Sequence, residues 1–159
     1  MNADLILWRH ADAEDLSDNE ETGGSDLSRR LTAKGEKQAA RMSAWLARQL
    51  PDGTRVWSSP AVRTEQTVLA LGRKYRLSDA LRPDAGPDEL LSLLQWPELH
   101  QPALIVGHQP TLGRVVARLV GLSEADCSIK KGAVWWLRQR ERNGALQTVI
   151  LTVQSPEFM

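Results

Sequence analysis

A single cysteine, Cys127, excludes an intramolecular disulfide and leaves no cysteine cluster for a structural zinc site. With only three histidines, any metal site would have to lean on carboxylates. No apolar run approaches the roughly 20 residues that a membrane span needs. Met1-Asn2-Ala3-Asp4 lacks the basic start and apolar stretch of a signal peptide. The expected location is the cytoplasm, with no membrane partner. Net charge is missing too, because 20 Lys+Arg balance 20 Asp+Glu. No basic excess remains to neutralise a polyanion, so nucleic acid is not an expected partner. Lysine is scarce: Lys34, Lys37, Lys74, Lys130 and Lys131 are the only five, and the other 15 basic residues are arginines. Arginine is the side chain suited to gripping oxyanions with paired N–H groups.

What the chain does have is apolar content, 42% over 159 residues, which suits a single domain spanning 1–159 and a monomer. Leu5-Ile6-Leu7-Trp8 and Ala103-Leu104-Ile105-Val106 read as strands buried on both faces. Arg55-Val56-Trp57-Ser58 is a third candidate, with a weaker one near Ala80 to Arg82. Thr32 is placed to cap a helix to about Leu50, with Ala39, Met42, Leu46 and Leu50 on one stripe. Ser59-Pro60 reads as N-cap and first position of a helix through Thr64, Val68 and Leu71. Pro87 opens a short helix with Leu90, Leu91 and Leu94, and Pro110 opens one closed by Gly121. Asn143-Gly144, between Ala133–Leu137 and Leu146–Val153, marks a hairpin. Together these predict a three-layer α/β/α sandwich around a mostly parallel sheet, ending in a β-hairpin.

Both buried strands stop at a histidine, His10 and His108. Ligand sites in open α/β sheets gather beyond the carboxyl ends of strands, so neighbouring strands would bring the two imidazoles together. Helices starting near Pro60 and Pro110 would aim their positive ends at the same place. Arg9 adjoins His10, Arg63 follows the Ser58-Ser59 strand end, and Arg29 and Arg30 follow an acid-rich loop, Asp12 to Asp26. That constellation suits a phosphoryl dianion. Guanidinium charge would keep a histidine neutral and nucleophilic, and a covalent phosphohistidine route follows without a metal or other cofactor.

These residues carry a resemblance to a known family. Leu7-Trp8-Arg9-His10-Ala11 resembles the Arg-His-Gly signature of the histidine phosphatase (phosphoglycerate mutase-like) superfamily, with Ala11 in the glycine position. Arg29-Arg30-Leu31-Thr32-Ala33-Lys34-Gly35 is similar to its Arg-Pro-Leu-Thr-x-x-Gly segment. Ser59-Pro60-Ala61-Val62-Arg63-Thr64-Glu65-Gln66-Thr67 resembles Ser-Pro-x-x-Arg-Ala-x-Gln-Thr, and Gly107-His108-Gln109-Pro110 resembles Gly-His-x-Pro. The short chain points to the SixA-like phosphohistidine phosphatases. The resemblance implies that His10 is the nucleophile and that Arg9, Arg63 and His108 bind the phosphoryl group. Arg29 takes the place of a further substrate-binding arginine, with Arg30 beside it not separated from that role.

Expelling an alkoxide from a phosphomonoester needs an acid. His108 is followed by Gln109 rather than an aspartate, and the middle segment from Pro83 to Leu90 offers Asp84, Asp88 and Glu89. Phosphohistidine, with its good imidazole leaving group, demands little acid, so a phosphohistidine-containing protein is the expected partner. The alternatives are a phosphatase for a small phosphorylated metabolite using Glu89 or Asp88, a non-catalytic phosphate-binding module, and a metal hydrolase built on His10, Asp12 and His108. His100, Arg30 and Arg55 read as solvated, Arg138, Arg140 and Arg142 as a solvated sheet face, Cys127 as inert, and the tryptophans as core.

Overall fold

The computed structural model describes residues 3–16, 25–122 and 127–159. Strand β1 (Ala3–Arg9) is buried along nearly its whole length, as its unbroken apolar run requires. Its neighbour β4 (Ala103–Gly107) is buried throughout. Between them in sequence lie β2 (Arg55–Ser58) and a two-residue strand, β3 (Arg76–Leu77). The hairpin consists of β5 (Val134–Arg142) and β6 (Ala145–Gln154). The sheet order is β3-β2-β4-β1-β5-β6, with the first four strands parallel and the hairpin antiparallel. The α/β sandwich with a terminal hairpin is as the sequence reading has it.

Alternate residues of β1 face opposite layers. Leu5 and Leu7 join Ile105, Leu90, Leu112 and Val116, whereas Ile6 and Trp8 join Leu104, Met42, Leu46 and Val68. One face is therefore covered by α1 (Ala33–Gln49) and α2 (Val62–Leu69). The other is covered by α3 (Pro87–Leu93) and α4 (Thr111–Val120). Thr32 caps α1 by accepting from Gly35 N, and Gly121 ends α4 in the left-handed region. The hairpin turn uses positive φ at both Asn143 and Gly144, as a type I′ connection demands.

Three local readings are corrected. Helix α2 starts at Val62, not Pro60, and Ala61 is its N-cap. Ser59 stays in the extended chain because its N–H continues the sheet ladder to Val106 O at 3.1 Å. The weak strand lies at Arg76–Leu77, where the register with Trp57 and Ser58 places it, while Asp79–Leu81 form a 3-10 turn capped by Ser78. Arg138 is not part of a solvated face. It grips the buried Asp4 through Nε–Oδ1 at 2.6 Å and Nη2–Oδ2 at 3.0 Å, and Trp136 Nε1 donates to the same carboxylate.

Candidate active site

Parallel pairing of β1 with β4 sets Arg9 opposite Gly107, so the next residue on each strand emerges at the same edge. His10 N donates to Gly107 O at 3.1 Å, and the rings of His10 and His108 stand 5.4 Å apart, centre to centre. β2 runs on the other side of β4 and delivers Ser59 to the same point. The two histidines are therefore brought together by register, as the strand-end argument expects.

His10 is held from both sides of its backbone, with Gly132 N donating to its carbonyl at 2.9 Å. Its Nδ1 lies 2.7 Å from Ala11 O. A carbonyl only accepts, so Nδ1 carries the ring proton and Nε2 keeps the lone pair. Ala11 is fully buried with Ala13, Leu31 and Ala39, and its φ is not positive, so a methyl is accommodated in the glycine position without strain. Its N–H donates to Thr67 Oγ1, which itself donates to Arg63 O. One hydroxyl thus ties the chain after His10 to the helix turn carrying Arg63. Gly35 matters for the same chain: a Cβ there would sit 2.0 Å from Asp12 O. This close approach explains the glycine that follows Thr32 three residues on.

The arginines converge. Arg9 Nη1 donates to Ile129 O at 2.8 Å. Arg63 is only 4% exposed and donates to both the carbonyl (2.7 Å) and the carboxylate (3.1 Å) of Asp26. Arg29 donates through Nη1 to the other carboxylate oxygen at 3.1 Å and through Nε to Glu14 O at 2.6 Å. Arg30 points to solvent. Of the two neighbours, the fold brings Arg29 to the site. Among the described residues, Arg9 Nε, Arg63 Nε and His108 Nδ1 are buried nitrogens without a hydrogen-bond partner. Buried polar atoms are rarely left unmet, and three in one cluster point to a ligand rich in acceptor oxygens.

Both histidines are held neutral. Burial foremost, with the guanidinium groups of Arg63, Arg9 and Arg29, pushes His10 down to about 3, against a raising bond to Ala11 O. Burial and Arg63 push His108 down to about 3 as well. These folded-state values lie below the ordinary 6.5. The unfolded chain therefore takes up protons that the folded one refuses. The stability contribution is fully present above pH 6.5 and is lost as pH falls toward about 3. The melting temperature is expected to drop across that window, and His108→Gln to flatten the slope. A melting temperature indifferent to pH there would contradict the neutral pair.

Asp26 is the residue that sequence reasoning missed. In sequence it closes the acid-rich loop from Asp12, but its carboxylate bridges Arg29 and Arg63. These arginines prevail over burial and hold its pKa below the usual carboxylate range. Asp12 is likewise pinned, by Thr32 Oγ1 at 2.7 Å and Lys131 Nζ at 3.1 Å. Three further acids of that loop, Asp18, Glu20 and Glu21, lie outside the described residues. An anion gripped by both arginines must compete with Asp26. Asp26→Ala is expected to tighten inorganic phosphate severalfold, on the scale of about 0.2–1 kcal/mol for an ion pair whose carboxylate is open to solvent. It should also lower the melting temperature of the phosphate-free protein, since Arg63 loses its counter-ion. Titration calorimetry checks the first effect; unchanged phosphate affinity would remove Asp26 from the competition.

The candidate general acids do not sit as donors. Glu89 is bound bidentately by Arg82, at 2.6 and 3.2 Å, and that bond lowers its pKa. Asp84 is paired to Arg82 at 3.1 Å and Asp88 to Arg118, both largely exposed. His100 is exposed, as expected. No group of three or more His, Cys, Asp or Glu side chains among the described residues is arranged to hold a metal ion. No helix among them is long and apolar enough to cross a membrane.

The sequence model of the histidine phosphatase superfamily (branch 1) matches residues 5–90, the stretch carrying Arg9, His10, Arg29 and Arg63. The chain belongs to the histidine phosphatase superfamily. It is 29% identical over 132 residues to a phosphohistidine phosphatase SixA homolog of Haemophilus influenzae, covering 74% of this chain and 77% of that protein. A solved structure of the protein histidine phosphatase SixA complexed with tungstate is 25% identical, covers 98% of each chain and superposes with a TM-score of 0.78. The fold is shared more widely. A phosphoserine phosphatase mutant from Entamoeba histolytica, in complex with phosphoserine, matches with a TM-score of 0.69 at 14% identity, over 98% of both chains. As a histidine phosphatase, the protein is a hydrolase that acts on phosphorylated substrates.

Proposed function

We propose that the protein removes the phosphoryl group from phosphohistidine in another protein, through a covalent phosphohistidine on its own His10. The observation that carries this reading is one cluster: a neutral His10 whose Nδ1–H is fixed on Ala11 O, ringed by Arg9, Arg29, Arg63 and His108, with three buried nitrogens lacking acceptors. Nε2 of His10 attacks phosphorus as the P–N bond of the substrate breaks. A substrate imidazole already protonated on its far nitrogen leaves as a neutral ring, so no acid has to reach it. The Arg9, Arg29 and Arg63 guanidiniums and His108 hold the charge spread over the phosphoryl oxygens. Water then attacks the phosphorylated His10, the second P–N bond breaks, its electron pair returns to Nε2, and dihydrogen phosphate departs with both of the water's hydrogens. Throughout, Ala11 O stabilises the imidazolium-like ring through Nδ1–H.

The state of the described carboxylates supports this substrate class. Glu89, Asp88 and Asp84 are exposed and ion-paired, and Asp26 is kept ionised by arginines. Among the described residues none of these carboxylates stands ready as an acid, which favours the leaving group that needs none. The likeness to SixA proteins supports the same choice. Turnover should be compared between a histidine-phosphorylated phosphocarrier protein and small phosphomonoesters such as para-nitrophenyl phosphate. The phosphoprotein is expected to win in kcat/KM by at least tenfold. Faster cleavage of the esters would overturn the assignment and return the substrate to a small phosphorylated metabolite.

A further inference from the structure

Resting on the phosphatase reading above, we infer that Ser59 is a positioning residue: its hydroxyl donates to Nε2 of His108, fixing the tautomer that presents Nδ1–H to a phosphoryl oxygen. Ser59 Oγ lies 2.8 Å from His108 Nε2. The same oxygen accepts the N–H of Ala61 at 3.2 Å. Distance alone does not say which of the two, Oγ or Nε2, carries the shared proton, but counting donors and acceptors does.

A hydroxyl has one proton. If Nε2–H donated to Ser59, the hydroxyl proton of this fully buried serine would be left without an acceptor. Nδ1 of His108 would then present a bare lone pair, unpartnered, beside a site assembled for an anion. If Ser59 donates instead, its oxygen is satisfied by Ala61 N–H, its proton by Nε2, and only Nδ1–H awaits a partner. A phosphoryl oxygen supplies that partner. Within the Ser59–His108 pair, the second arrangement leaves only Nδ1–H to be met, and a phosphoryl oxygen meets it.

The hydroxyl is placed firmly enough to do this. Ser59 N donates to Val106 O at 3.1 Å, two residues before His108. Its carbonyl accepts from Ser58 Oγ at 2.9 Å and Thr64 Oγ1 at 3.0 Å. Ser59 is thus locked to the strand that ends at His108 and to the helix that carries Arg63. His10 and His108 then share one tautomer, Nδ1–H, fixed by different partners and serving opposite ends. In His10 it frees Nε2 to attack; in His108 it makes Nδ1 a donor.

The full-length protein labelled with ¹⁵N-histidine tests this directly, because it contains only three histidines and His100 is exposed. Wild-type His108, assigned by its loss in His108→Gln, is expected to show the Nδ1–H pattern of nitrogen shifts at neutral pH. Ser59→Ala should move it toward Nε2–H and lower kcat/KM by about tenfold or more, while Ser59→Thr restores both. A wild-type spectrum with His108 on Nε2–H overturns the inference, as does an unchanged tautomer in Ser59→Ala. The wild-type spectrum needs no variant to fold and no substrate. Failure of the phosphohistidine reading shows up separately, as absence of a phosphoenzyme on His10 with the tautomer intact.

Discussion

His10→Ala is expected to lower turnover on the order of 10⁴-fold or more and to leave no phosphoenzyme, because losing a covalent nucleophile removes the pathway rather than one of its stabilising contacts. The variant should still fold. His10 contributes its backbone to the junction through Gly107 O and Gly132 N, and alanine keeps both bonds. It should also still bind phosphate or tungstate, since Arg9, Arg29, Arg63 and His108 remain in place. Retained affinity with lost chemistry separates a nucleophile from a binding group. Rapid-quench labelling and calorimetry together read both, and a variant that keeps turning over would remove His10 from the centre of the mechanism.

Arg63→Lys is expected to cost about 10²–10³-fold in kcat/KM, the scale of losing an aimed donor at developing charge. Charge is retained in that variant, so the loss reports geometry. A guanidinium presents a planar fork of N–H groups, whereas an ammonium is a compact point charge. Arg63 uses that fork, meeting both the carbonyl and the carboxylate of Asp26 while nearly fully buried. Arg29→Ala should do less and act mostly on KM, because Arg29 is about five times more exposed, 21% against 4%, and lies at the mouth. Equal effects from the two substitutions would contradict this division.

The site was legible in the sequence wherever local pattern and position coincide. Leu5 to Trp8 and Ala103 to Val106 are apolar runs without alternation, which only a strand covered on both faces requires, and each ends at a histidine. Arg9 and Arg63 could be placed because Arg9 ends β1 and Arg63 lies in the first turn of the helix after β2. What escaped depends on pairings between distant residues. Asp26 looks like one more acid in a polar stretch until the fold sets it against Arg63, 37 residues on. Ser59 has the look of an N-cap, and its tie to His108 exists only because β2 and β4 are neighbours. Arg138 alternates as a solvent-facing residue should, but antiparallel register puts it opposite the buried Asp4. The two-residue β3 has no hydrophobic signature at all, being exposed on both positions, and register alone defines it.

The covalent route through His10 stands or falls on rapid-quench trapping with a protein carrying ³²P-phosphohistidine. Label is expected to pass to this chain, to be stable in alkali and lost in acid, and to map to His10. It should form and decay at least as fast as steady-state turnover. Release of phosphate with no label on His10, or label that appears more slowly than turnover, would contradict that route.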